Sequence, residues 1–335
     1  MEPEQRPPTL ADVARAARVA TSTASRALQE SPRISETTKL RVRAAARGLG
    51  YRPNRIAQSL RTRTANLVGI VVPDIGAPFY SRVVKGAQSV FEQSGFAVLV
   101  MNTEREPARE VAAMQTLLEH RVSGVLVATT GGANGDPEVP TVFFDNVVLG
   151  RGVGNVTRAN VAGMELLVGH LHERHGHTRI AYVGGPPALT SGVERLDGYR
   201  AAVARLGLVA RDDYVQFAEA TWSAYSGAAA MARLLALDEP PTAVVTSGES
   251  LGLGALSACR TGGRRVPEDV ALVCFDDPPF GDLLDPPLTA LGRNEEEMGR
   301  LAASLLLHAL QSTAPPPPAE VRLPLELVVR RSCGC

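Results

Sequence analysis

The side chains of this sequence that could do chemistry fall into three sets. The first lies near the start, where Thr21, Ser22, Ser25 and Arg26 recur at helical spacing. Short hydroxyls and an arginine at the front of a short helix suit the reading of base edges in a DNA major groove, and hydroxyls also bind phosphate oxygens. The same pattern fits the polar face of an ordinary three-helix cap. The second set stands just after apolar runs. It comprises Asp74 with Phe79 and Tyr80 beyond it, Asp145, the pair Asp276 and Asp277, and Arg195 behind a Gly/Pro-rich loop. Carboxylates accept from sugar hydroxyls, arginine donates through two N–H groups, and an aromatic ring covers an apolar sugar face. Plain structural duties are open to several of them, capping for Asp74 and Asp277 and packing for Phe79. The third set is His170, His172, His175 and His177 together with Cys333 and Cys335. The histidine spacing is not that of a metalloprotease helix and the cysteines have no partner ligands nearby, so a basic helix end, mobile thiols and no metal are expected. No nucleophile–base–acid arrangement stands out, and neither enzyme activity nor a cofactor is expected.

The elements that must hold these residues are of two kinds. Up to about residue 60 the pattern is one of short helices. Leu10, Val13, Ala14 and Ala17 share a helical face, with Thr9 as its cap and Asp12 as the reciprocal capping partner. A second helix over about 21–29 places Ala24, Ala27 and Leu28 together. A third, capped by Ser35, carries Leu40, Val42 and Ala45 and ends near Gly48–Gly50. Asn54 can cap one more short segment, 55–60. From Asn66 onward strand-like runs (67–72, 97–101, 124–128, 141–144, 180–183, 243–246 and 270–275) alternate with helical stretches (80–94, 108–119, 161–173, 195–206, 223–237 and 251–259). Near-continuous apolar strands are covered on both faces, and strand–helix alternation makes an open parallel α/β sheet. About 270 residues are large for one such sheet, so two α/β lobes are expected, with ligand in the crevice at the carboxyl ends of the strands.

Charge sharpens the division. The chain has 35 Lys+Arg against 35 Asp+Glu in 335 residues, which gives no net charge. Residues 1–65 nevertheless hold 13 basic and 5 acidic side chains, a +8 head, and the remaining chain is −8. Such asymmetry hints at nucleic-acid contact. An apolar content of 44% excludes a disordered chain. The absence of a long apolar run excludes a membrane-spanning helix, and with a polar start no secretory signal is expected. Four cysteines make no disulfide framework, and a cytoplasmic protein is expected.

Several stretches together resemble the lac repressor/galactose repressor (LacI/GalR) family. They are TLADVARAARVATSTASRAL at 9–28, RISETT at 33–38, LGYRPN at 49–54 and RIAQSLRT at 55–62. The likeness continues through VGIVVPD at 68–74, PFY at 78–80, RIAYVGG at 179–185, ERLDGY at 194–199, VPEDV at 266–270, FDD at 275–277 and PLT at 287–289. The resemblance implies a helix-turn-helix head over 1–53 and a hinge helix with linker over 54–65. It implies a two-lobed, type I periplasmic-binding-protein-like body over 66–335, with an N-lobe of about 66–160 and 292–321 and a C-lobe of about 161–291 and 322–335. It implies a homodimer on a pseudo-palindromic operator, with Thr21 and Ser22 reading bases, Arg26 as a third base contact and Leu60 wedged into the minor groove. A wedge of this kind unstacks a base step and kinks the duplex, and a short helix can order only on binding. The resemblance carries ligand contact onto Arg195 and Asp276, and extends it to Phe79, Tyr80 and Asp145. The implied function is a transcriptional regulator of the repressor type, switched by a sugar-like effector.

The chain also departs from the family. Arg18 stands where the turn usually has glycine, and Ala20 where the recognition helix usually has a serine cap, so that Thr21 or Ser22 could be drawn into capping. In the crevice Arg158 replaces a usual aspartate, and Gly248-Glu249 a usual Asn-Asp pair; Glu249 still accepts hydrogen bonds. Arg158 either suits an anionic ligand, such as a sugar acid or phosphosugar, or pairs with a neighbouring acid or points to solvent. A solute-binding protein and a sugar-modifying α/β enzyme are the competing classes. The first should carry an export signal in place of the basic head, and the second should turn its ligand over. No leucine heptads follow Leu327, so dimers without an appended coil are expected.

Overall fold

The computed structural model describes residues 8–28, 30–51, 66–132, 137–148, 150–185, 187–218, 222–292, 294–312 and 319–335. The chain forms two compact units, Met1–Ala65 and Asn66–Cys335. Hinge residues 54–65, including Asn54 and Leu60, lie outside the described residues.

The first unit contains α1 (Leu10–Ala16), α2 (Thr21–Leu28) and α3 (Glu36–Gly48). Thr9 caps α1 and Asp12 returns the bond, a reciprocal box that satisfies two otherwise orphaned N–H groups. Ser35 caps α3 through the Thr38 N–H. Val13, Ala14, Ala17, Ala24, Ala27, Val42 and Ala46 form the core of the unit. Small residues dominate it, so the three helices pack closely. Arg18, in the turn between α1 and α2, adopts a left-handed φ of 51°. The turn therefore keeps the geometry that glycine would serve, at a cost of about 1–2 kcal/mol.

The second unit holds two six-stranded sheets. One runs β11-β5-β4-β3-β1-β2, all parallel, from β1 (Leu67–Val72), β2 (Ala97–Asn102), β3 (Gly124–Val127), β4 (Thr141–Phe144), β5 (Gly154–Arg158) and β11 (Ala319–Leu323). The other runs β12-β10-β9-β8-β6-β7, from β6 (Ile180–Gly184), β7 (Val215–Phe217), β8 (Ala243–Thr246), β9 (Ala271–Cys274), β10 (Thr289–Leu291) and β12 (Leu327–Val328). Its pairs are parallel except β10 with β12. The central strands are buried along their whole length, save for Leu67 at the start of β1, because helices cover both faces. The chain crosses between lobes three times, after β5, after β10 and after β11. Each lobe is thus built from separated stretches of sequence.

Among the described residues, seven α-helices complete the body. They are α4 (Pro78–Gln93), α5 (Pro107–Glu119), α6 (Asn160–His175), α7 (Thr190–Arg205), α8 (Ala224–Leu235), α9 (Glu249–Thr261) and α10 (Glu295–Gln311). α10 closes the first lobe against α4 at backbone distance. A Cβ at Gly299 would stand 2.0 Å from the Val83 carbonyl oxygen, and one at Gly86 2.1 Å from that of Glu296, so only glycine fits at this crossing. Three features escape the sequence pattern. β5 is polar at Asn155, Thr157 and Arg158, so no apolar run marks it. β7, β11 and β12 are edge strands and β10 lies next to an edge, and all four are only two to five residues long. α10 was not anticipated, although Met298, Ala302, Ala303, Leu306 and Leu307 are buried from it at helical spacing. No helix among the described residues is long and apolar enough to cross a membrane.

Candidate functional site

In the first unit, α2 turns Ala24 and Ala27 into the core, which leaves its other face outward. Thr21, Ser22 and Arg26 are exposed and Ser25 is half-buried. The Ala20 carbonyl accepts from the Ala24 N–H at 2.9 Å, so Ala20 occupies the cap position. Thr21 and Ser22 are therefore helical residues and are not drawn into capping. Among the described residues, Arg15 pairs with Asp12, Lys39 with Glu36 and Arg43 with Glu30, while no carboxylate pairs with Arg18, Arg26, Arg33, Arg41 or Arg47. A small unit with this many uncompensated guanidinium groups attracts a polyanion.

In the second unit, the carboxyl ends of the strands converge on a cavity of about 240 Å³ between the lobes. Its wall brings together Phe79, Tyr80, Asp145, Arg158, Arg195, Glu249 and Asp276, every crevice residue singled out from the sequence except Asp74 and Asp277. Asp74 instead accepts from the Gly76 N–H in its own turn, and Asp277 is held by both Nη atoms of Arg330 at 2.7 and 3.0 Å. Asp145, at the end of β4, takes a left-handed φ of 65° and accepts from the Tyr80 hydroxyl at 3.0 Å. Strained backbone of this kind persists where surrounding structure holds it, often at ligand sites. Burial, reinforced by the Asp145 charge, pushes the Tyr80 phenol well above its usual range, so it remains a donor.

Arg158 resolves one open question. It is 3% exposed, points inward from the end of β5, and donates from Nη1 to Asp276 in the other lobe. The pairing with a neighbouring acid is therefore real, and the acid is itself a crevice residue. Its guanidinium lies 4.7 Å from the Phe79 ring centre and 5.2 Å from that of Phe275. Burial opposes its charge, but Asp276 and Asp145 outweigh burial and hold its pKa above the ordinary value. Its Nε is buried without a partner. Arg195 approaches the same Asp276 at 3.8 Å, donates to Asn160 Oδ1 at 3.0 Å and to the Ser247 carbonyl at 2.6 Å, and stacks 4.0 Å from the Phe275 ring centre. Burial and then the neighbouring Arg158 lower its pKa.

Other bonds also cross between the lobes. Asn146 Oδ1 accepts from the Ser191 N–H and hydroxyl, the Val147 N–H donates to Thr190, and Arg322 pairs with Glu194 at 2.8 Å. Sequence reasoning missed Arg105, Asn146, Ser191 and Trp222 on the cavity wall. Arg105 follows β2 and Asn146 follows β4, so the rule that found Asp145 applied to both. Trp222 is the only tryptophan of the chain, which was signal enough.

One expectation is overturned. The cysteines at 333 and 335 do have partners nearby, because the fold brings His170 and His175 to them, and the four ligand atoms lie within 4.8 Å of one another. The helix end and the Cys-Gly-Cys stretch are more than 150 residues apart in sequence, so their proximity was invisible there. His172 and His177 bond elsewhere, to the His177 carbonyl and to Thr242.

A small helical head with an outward polar recognition face, joined in one chain to a two-lobed body whose crevice holds charged side chains, defines a ligand-responsive DNA-binding regulator. Comparison with known proteins gives the family. Residues 9–54 match the bacterial regulatory proteins of the lacI family, and residues 168–333 match the periplasmic binding protein-like domain. The chain is 32% identical over 309 residues to the ribose operon repressor of Escherichia coli (strain K12), covering 90% of this chain and 93% of that protein. The crystal structure of the lac repressor dimer bound to operator and the anti-inducer ONPF superposes with a TM-score of 0.86 at 28% identity, covering 98% of this chain and 99% of the other. The complex of the transcriptional regulator CelR with cellobiose gives a TM-score of 0.73 at 31% identity, over 97% and 99% of the two chains. The chain belongs to the LacI family of transcriptional regulators.

Proposed function

We propose that this regulator is a repressor that binds a pseudo-palindromic operator as a homodimer and changes its grip when a sugar, sugar acid or sugar phosphate enters the crevice. The helical head spans 1–53, a hinge helix with linker spans 54–65, and the two lobes follow. Thr21, Ser22 and Arg26 face the major groove, Ser25 binds a phosphate oxygen, Asn54 caps the hinge helix, and Leu60 wedges into the central base step. The protein works in the cytoplasm and senses its ligand without turning it over.

The observation that carries this reading is the Arg158–Asp276 pair, one residue from each lobe, inside the crevice. Hydroxyl or carboxylate oxygens of a ligand find Arg105, Arg158 and Arg195 as donors, and its hydroxyl protons find Asp145, Glu249 and Asp276 as acceptors. A ligand that bonds both lobes favours one lobe arrangement over another, and only such differential affinity can shift DNA binding. Support for a sugar-like effector comes from the cellobiose-bound relative, and support for operator binding as a dimer from the lac repressor complex.

The test is a thermal-shift screen with neutral sugars, sugar acids and sugar phosphates, followed by operator binding with and without each hit. A specific ligand raises the melting temperature by mass action and changes operator affinity. Stabilisation by none of the three classes, or a hit that leaves operator affinity unchanged, sinks the proposal. In a separate electrophoretic bending assay on the operator, Leu60→Ala should reduce DNA bending, and unchanged bending retires the wedge.

A further inference from the structure

The cluster at the end of α6 lies away from the crevice and plays no part in the function proposed above. His170 and His175 stand five residues apart in the last turns of that helix, which closes at Gly176 with a left-handed φ of 73°. The short 3₁₀ turn Arg331–Cys333 brings the Cys-Gly-Cys stretch against them. Cys335 Sγ lies 3.2 Å from His175 Nε2 and 3.7 Å from His170 Nε2. Gly334 lets the two sulfurs share one side, since its φ is +103° and a Cβ there would sit 3.3 Å from His175 Nδ1. The two rings meet edge to face, with centres 5.3 Å apart. Cys333 is buried in the core of the second lobe, where Thr289 Oγ1 donates to its sulfur at 3.2 Å, while Cys335 is exposed.

We propose that His170, His175, Cys333 and Cys335 form a tetrahedral site for a borderline-soft divalent cation of the zinc type. Metal–sulfur bonds of about 2.3 Å and metal–nitrogen bonds of about 2.0–2.1 Å give tetrahedron edges of roughly 3.3–3.8 Å. The two sulfur–nitrogen distances lie close to that range, and the whole donor set lies within 4.8 Å, so the site closes with small side-chain shifts. Two thiols and two imidazoles select zinc over magnesium or calcium, which take oxygen ligands. On binding, each thiol loses its proton to solvent, and two thiolates balance the dication. The resulting neutral centre can sit half-buried at modest cost. The negative end of the α6 dipole also favours a cation there. Two donors from a helix and two from the last strand–turn segment make this a clasp. It ties residues 331–335 to α6 and leaves no open coordination position for catalysis.

The test uses the full-length chain without a histidine tag, stripped of metal by chelator under reductant, and titrated with cobalt(II). One cobalt per chain is expected, with thiolate-to-cobalt charge-transfer absorption and tetrahedral d–d bands, and with displacement by zinc. Cys335→Ser and His170→Gln alter side chains outside the buried core, and each should weaken cobalt binding at least tenfold. Cys335→Ser should also reduce the charge-transfer band. Zinc should raise the melting temperature of the parent protein and not of Cys335→Ser. Weak octahedral bands alone, or a tetrahedral spectrum unchanged by both substitutions, overturn the proposal. Should a variant fail to fold, the spectrum of the parent protein still decides.

Discussion

Arg158, at the end of the fifth strand of one lobe, donates to the carboxylate of Asp276, which follows the ninth strand and belongs to the other. The pair is buried, with side chains 3% and 11% exposed, and Arg195 is the second cation on the same carboxylate. Replacing Arg158 by Met leaves Asp276 with that more distant partner alone. Unpairing a buried ion pair costs about 3–5 kcal/mol, and the retained arginine places this case near the lower end. The double variant Arg158→Met/Asp276→Asn should recover most of the loss in urea unfolding. A double variant as unstable as the single one would show that the pair is not the cause.

The single tryptophan lines the crevice, 5.8 Å from the Arg195 guanidinium, so its emission should report ligand entry. Trp222→Leu removes a flat apolar face. It should weaken the effector roughly tenfold, in keeping with about 0.5–1.5 kcal/mol for aromatic stacking beyond area burial. Titration followed by fluorescence in the parent protein and by thermal shift in the variant checks both. A ligand that stabilises the protein with no change in emission binds somewhere else.

Operator binding should weaken linearly in log–log form as salt rises, with a slope of about −0.9 per phosphate neutralised. Arg26→Ala should cost about 1–3 kcal/mol on the operator and leave that slope nearly unchanged, as expected of a base contact. A variant that loses equally on random DNA, with a flatter slope, would reassign Arg26 to phosphate.

Gly299→Ala should destabilise the first lobe by about 1–3 kcal/mol or more, because the new methyl meets the Val83 carbonyl at 2.0 Å and helix backbones must separate. The urea midpoint measures this. A change within a few tenths of a kcal/mol would mean that the α4–α10 crossing is looser than the geometry requires.

Alkaline pH should loosen the body. Burial pushes Cys259 up to about 11 and Cys274 up to about 12, from an ordinary 9.0. Both thiols stay neutral in the folded chain while the unfolded chain ionises them. The stability from keeping them neutral is therefore complete below about pH 9 and is lost as pH rises toward 11–12. The urea midpoint should fall between pH 8 and 10.5, and Cys259→Ala or Cys274→Ala should flatten the decline. A slope unaltered by either substitution assigns the loss to other groups, such as the buried tyrosines.

The sequence made legible whatever depends on local pattern. Thr9 with Asp12, Ser35 and the strand runs ending before Asp145 and Asp276 are short-range signals, and the structure bears them out. Tertiary distance hid the rest. Nothing near Arg158 in sequence points to Asp276, which lies 118 positions away, and nothing near Cys335 points to His170, 165 positions away. β5 lacked an apolar run because its polar residues have buried tasks: Asn155 accepts from the Val148 N–H, Thr157 donates to the Asp145 carbonyl, and Arg158 enters the crevice. Arg105 and Asn146 were open to the rule that found Asp145 and were passed over.

The triple crossing of the body has a consequence for the order in which this protein acquires its shape during synthesis. The head is contiguous and complete once about the first fifty residues have left the ribosome, so it can fold alone and early. Neither lobe has that freedom. The first sheet waits for β11 at Ala319–Leu323, and the second for β12 at Leu327–Val328, so both are finished by the same last stretch of chain. A nascent chain therefore presents a finished cationic head while both of its sheets still lack an edge strand.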